Sequence, residues 1–182
     1  QHTRLWRDMT TIENLLLPPR NQFGLNPFSA LLTPFYREEE VERFRKAYKT
    51  LDQLEIRHMA HNLTSELSGG QSKLVDIGRS LMGDPQLLLL DEPVAGVAGP
   101  LAEKIFNYLR KVVNETGISI LAIEHNMDFI LRQGIDRIVV MNEGKILMEG
   151  TPDEVKGSKD VISAYLGSTE DWKWEELAEG GA

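Results

Sequence analysis

Apolar positions follow two different rhythms along this chain, and the difference organises it. Val41, Phe44, Tyr48, Leu51 and Leu54 recur at helical spacing with arginine and glutamate between them. That pattern predicts an amphipathic helix that packs one stripe into a core and solvates the other. Leu87–Leu90 and Ile118–Ile123 are instead short apolar runs of strand length. Such runs predict strands buried on both faces of a parallel sheet. Between them Leu101, Ile105, Phe106, Leu109 and Val112 mark a helix. Strand, helix, strand is a βαβ unit, so the fold class is α/β with a parallel sheet.

Turn and cap residues supply the punctuation. A helix is expected over Met9–Leu17, stopped by Pro18-Pro19, followed by a loop-heavy insertion over residues 20–36. Another helix follows Gly69-Gly70 and ends at Gly83-Asp84-Pro85. Arg137–Met141 and Lys145–Met148 flank Asn142-Glu143-Gly144 as a hairpin. Thr151-Pro152-Asp153-Glu154 has capping-box spacing with proline at the first helical position. The tail from Ser168 is acidic and predicts a solvated helix or a disordered end, despite Trp172 and Trp174.

Composition narrows the classes without choosing one. A chain of 182 residues is long enough for one domain with a sizeable core. No apolar run reaches the roughly 18 residues of a membrane span. Cysteine is absent, which removes disulfides and thiolate metal sites and fits the cytoplasm. The net charge of -8 disfavours a nucleic-acid partner. The polar start, Gln1-His2-Thr3-Arg4, is no signal peptide, and the missing methionine is read as a cut N-terminus.

Chemistry concentrates in three places. Leu67-Ser68-Gly69-Gly70-Gln71 lies where a loop becomes a helix. There, free backbone N–H groups and the positive end of the helix dipole favour an anion. The glycines admit a phosphate close to the backbone, and Ser68 can cap the helix and offer a hydroxyl. Asp91-Glu92-Pro93 sits at the carboxyl end of the leucine strand, the edge where open α/β sheets bind ligands. Asp91 suits a magnesium shell, and Glu92 suits a general base polarising water. His125 follows the next strand and falls beside Glu92 if the two strands are neighbours.

These three features, in this order and spacing, resemble the C-terminal part of the nucleotide-binding domain of ABC transporters, from Gln1 to about Gly167. The resemblance implies a partial RecA-like core with a helical subdomain. Residues 1–13 would be the Q-loop region, 14–80 the helical signature subdomain, 81–167 the core segment and 168–182 the tail. It gives Gln1 the magnesium and the attacking water. It assigns Ser68, Gly69, Gly70 and Gln71 to the ATP of a second ATP-binding subunit, and Asp91, Glu92 and His125 to the chain's own ATP and Mg2+. Transmembrane permease subunits would dock near Arg4, Leu5 and Trp6, with a substrate-binding protein as an indirect partner, at the cytoplasmic face of the membrane. Gln1–Asn14, Glu124-His125-Asn126-Met127, Arg137–Pro152 and Asp160–Gly167 are similar, more narrowly, to the branched-chain amino-acid importers.

Two departures qualify the resemblance. No G-x-x-x-x-G-K-[ST] phosphate loop occurs, which reads as a truncation and implies a fragment without ATPase activity. Ala98 stands where the family places Asp or Asn. The alternatives are an ABC ATPase for urea or lipopolysaccharide, one of DNA repair or translation, and a non-catalytic half-site module.

Overall fold

A computed structural model describes residues 4–18 and 33–166. Gln1, residues 20–32 of the insertion expected over 20–36, and the tail with its two tryptophans lie outside the described residues. The chain divides into two compact units, Gln1–His125 and Asn126–Ala182.

The first unit begins with a short helix, α1 (Thr11–Leu16), which Thr10 starts with a capping box closed by Glu13. Its inward face carries Ile12 and Leu15, together with a fully buried Asn14. The Asn14 amide is satisfied: Oδ1 accepts from the Trp6 N–H at 2.9 Å, and Nδ2 donates to the carbonyls of Trp6, Met9 and Thr10. The segment before α1 is thereby pinned from inside. Helix α2 (Thr33–Gln53) takes over part of the segment expected to be loop, because the helical pattern extends back through Thr33.

Only half of the α2 stripe behaves as its spacing predicts. Leu51 and Leu54 are buried, but Val41 and Phe44 are 41% and 46% exposed. They border an open groove shared with Tyr48, over whose ring Arg57 lies at 5.1 Å. The first half of α2 has no neighbour there among the described residues, so helical periodicity alone overstates the core. Helix α3 (Gly69–Leu81) packs on α1 and α2. Gly78 permits the approach, since a methyl group there would meet Leu54 and Thr50 at 3.0 Å.

Strands β1 (Leu87–Asp91) and β2 (Ser119–Ile123) pair in parallel across helix α4 (Gly99–Thr116), as the βαβ reading requires. Helix α4 buries Ala102, Ile105, Phe106, Tyr108 and Leu109, and ends on Gly117 in the left-handed conformation. The expected burial of both sheet faces is corrected. Leu88 is buried, whereas Leu87, Leu89, Leu121 and Ile123 are 53% to 65% exposed. Strand side chains alternate between faces, and in this pair one face is covered and the other is bare.

The second unit starts with α5 (Met127–Leu131), capped by the Asn126 side chain. Strands β3 (Ile138–Asn142) and β4 (Lys145–Gly150) form the expected hairpin. Glu143 and Gly144 both have positive φ, as a two-residue turn of this twist demands. Thr151 and Glu154 close the expected capping box at the start of α6 (Pro152–Lys156), and α7 (Lys159–Leu166) follows. Leu131, Ile138, Val140, Val155 and Val161 form the core of this unit. No helix among the described residues is long and apolar enough to cross a membrane.

Candidate functional site

The carboxyl ends of β1 and β2 lie side by side, with Asp91 opposite Ile123 in the last rung of the ladder. One residue further, the Glu92 N–H still donates to the Ile123 carbonyl at 2.9 Å. The chain then turns sharply. Glu92 has φ of 46°, a left-handed conformation that costs a non-glycine residue about 1 kcal/mol or more. Such strain persists only where the surroundings enforce it, and they do here. The Glu92 carbonyl accepts from the Lys73 ammonium at 3.1 Å and from the Ala95 N–H at 3.2 Å. Lys73 also reaches the Ala95 carbonyl at 2.6 Å, and the Val94 N–H donates to the Glu124 carboxylate at 3.0 Å.

The turn aims the Glu92 side chain at His125. His125 Nδ1 stands 3.2 Å from Glu92 Oε1, so the structure brings together the two groups that the sequence pairs. The carboxylate is sheltered at 22% exposure, while the imidazole is 72% exposed. A sheltered acceptor beside a solvent-facing ring can hold a water against an incoming phosphate. Asp91 is exposed at the end of the bare sheet face, one residue from Glu92 and on the other side of the strand.

The signature turn lies at the start of α3. Ser68 is the N-cap, its hydroxyl accepting from the Gln71 N–H at 3.3 Å while Gln71 Oε1 accepts from the Ser68 N–H at 2.8 Å. This capping box uses the hydroxyl as an acceptor, which leaves its O–H to donate. The two glycines differ. A Cβ at Gly70 would fall 2.4 Å from the tip of Leu101, whereas a Cβ at Gly69 would meet nothing within 4 Å. Gly70 therefore serves internal packing, and Gly69 faces open space on the exposed side of the turn.

The remaining expected residues are distributed around this frame. The backbone of Trp6 is bonded to Asn14, and its carbonyl also accepts from the Thr64 hydroxyl at 2.8 Å. Its side chain is nevertheless 64% exposed. The Arg4 carbonyl accepts from Arg79 at 2.7 Å. Ala98 proves to be the N-cap of α4, a position with no side chain to cap it. Lys73 and Glu124 are the residues that sequence reasoning missed. The position of Glu124 just before His125 at a strand end is the one signal that could have found it; Lys73 gave none.

A parallel strand pair with a carboxylate and a histidine in contact at adjacent strand ends, and a glycine-rich turn at the start of a helix, defines a chain of the α/β class with its polar groups gathered at the carboxyl edge of the sheet. Residues 1–95 match the family model described as ABC transporter, and residues 145–171 match the branched-chain amino acid ATP-binding cassette transporter model. The chain belongs to the ABC transporter family. It is 38% identical over 169 residues to the high-affinity branched-chain amino acid transport ATP-binding protein LivG of Salmonella typhimurium, covering 92% of this chain and 66% of that protein. Its fold matches the ADP conformation of an ATP-binding cassette of an ABC transporter with a TM-score of 0.68 and 37% identity, over 88% of this chain and 64% of that one. It also matches a dimeric cassette in a post-hydrolysis state bound to ADP and phosphate, with a TM-score of 0.64 and 27% identity, over 84% and 60% of the two chains. The chain spans 66% of the length of this curated relative, LivG.

Proposed function

We propose that this chain is the signature-bearing part of an ATP-hydrolysing subunit that powers import of branched-chain amino acids through a membrane ABC transporter. The observation that carries the reading is the contact between Glu92 and His125 at the ends of two parallel strands. Glu92 acts as general base on the attacking water, and His125 holds that water and the γ-phosphate in line. The backbone strain at Glu92 supports a functional position, because a relaxed residue there would be the more stable choice.

Magnesium fits the donors available. Among the described residues no three His, Cys, Asp or Glu gather to hold a metal by themselves. Magnesium in nucleotide sites takes one or two carboxylates and completes its shell with phosphates and water, so Asp91 suffices, with Gln1 as a second contact. The ion would neutralise charge on the phosphates.

The signature turn serves a second subunit. Ser68 offers its O–H and Gly69 its bare backbone to the γ-phosphate of ATP held by the partner in a head-to-tail dimer, a reading supported by the open space at Gly69 and by the dimeric state of the similar cassette. The exposed Trp6 on its pinned backbone belongs to the surface that meets the permease at the cytoplasmic face of the membrane. Glu92→Gln, made in a protein that includes the family's phosphate loop, tests the reading. ATP binding should be retained, turnover should fall by about 100-fold or more, and an ATP-bound dimer should accumulate. Turnover at the rate of the parent protein would remove Glu92 from the role of base.

A further inference from the structure

The loop after β1 is held by a residue from a distant part of the chain, and that residue sits on the signature helix. Lys73 lies four residues after Gly69 in α3, one helical turn from the anion turn. Its ammonium donates to two carbonyls of the loop, those of Glu92 at 3.1 Å and Ala95 at 2.6 Å. Among the described residues it has no carboxylate partner within ion-pair distance, and both of these bonds go to the loop backbone. On the other side Glu124 accepts from the Val94 N–H at 3.0 Å. The loop that begins at the left-handed Glu92 is thus held from α3 by a cation on the carbonyls of Glu92 and Ala95, and from just past β2 by an anion on the N–H of Val94.

We propose that Lys73 is a positioning residue for Glu92 and links the signature turn to the hydrolytic carboxylate of the same subunit. The proposal rests on the function given above for Glu92. Charge-assisted bonds to carbonyls are among the stronger polar contacts, and two of them on one four-residue loop fix its orientation. When the partner's phosphate engages Ser68 and Gly69, α3 moves or stiffens as a rigid rod, and Lys73 transmits that change to the backbone of Glu92. One subunit's hydrolytic geometry then depends on whether its signature turn is occupied. The contact is backbone-directed, so it needs a long cation at position 73 and makes no demand on the side chains at 94 or 95.

The test compares Lys73→Met and Lys73→Arg in the ATPase that includes the phosphate loop. Methionine keeps the apolar stem and removes the donor. Lys73→Met should lower kcat by about 10- to 100-fold and leave KM for ATP within about threefold. Lys73→Arg should recover most of the rate. Amide hydrogen exchange provides a readout independent of activity. In Lys73→Met the Glu92 and Ala95 amides should exchange faster while those of Leu74, Val75 and Ile77 stay protected. Unchanged exchange at 92 and 95, or a fall in kcat matched by equal loss of protection throughout α3, would overturn the proposal. Failure of the hydrolytic reading shows up separately, as full turnover in Glu92→Gln, and leaves the exchange comparison to decide whether Lys73 orients the loop.

Discussion

Within the first unit, the helices and the strand pair solve burial in opposite ways. Helices α1, α2 and α3 meet on Leu15, Leu51, Leu54, Leu74 and Val75, each at most 1% exposed, and the fully buried amide of Asn14 is bonded through both its oxygen and its nitrogen. Strands β1 and β2 bury Leu88 and leave four large apolar side chains bare on the other face. Helices hydrogen-bond internally and close a core with three partners, whereas a parallel strand needs a neighbour at its edge and cover on both faces. The helices close a core around these residues, and the strand pair leaves one face bare.

The sharpest way to break this contrast is to shorten one leucine on each side of it. Leu51→Ala empties a closed core and should cost about 2 to 5 kcal/mol, measured by chemical denaturation. Leu89→Ser, on the bare face, should change stability by less than about 0.5 kcal/mol and reduce self-association in light scattering. Equal losses from both would mean that the face is covered. Tyr108 of α4 gives the next effect. Burial is the main cause that pushes its phenol up to about 12, helped by Glu115 and opposed by a hydrogen bond with Thr50. The neutral form is favoured in the fold, so that stabilisation is complete below the ordinary value of 10.0 and is lost as pH rises towards 12. Stability should fall by about 2 kcal/mol across that window, and Tyr108→Phe should flatten the decline. The smallest effect is a gain. Ala98→Asp supplies the missing cap of α4 and should add about 1 kcal/mol, read as a higher denaturation midpoint.

Local signals in the sequence carried most of the architecture. The two apolar runs, the helix between them and the turn residues foretell the parallel pair, and Thr151 with Glu154 foretells α6, because each depends on neighbours a few residues away. The Thr10-x-x-Glu13 box at α1 is a signal of the same local kind. What could not be read locally was cover. Four leucines in a row look the same whether one face or both are packed, and Val41 with Phe44 repeat like Leu51 with Leu54 although only the latter find a partner. The pairing of Glu92 with His125 was legible because parallel strands bring their ends together. Lys73 was not, since a lysine on a helix carries no mark of the loop it will meet 19 residues later.

The left-handed backbone at Glu92 also bears on how this sequence can change over time. A glycine at that position would relax the turn and, by removing the strain, stabilise the fold while deleting the carboxylate. Mutation guided by folding alone would therefore erode the proposed base before it touched the leucines beneath it. A copy of this gene released from its task would be expected to keep its shape and lose its acid.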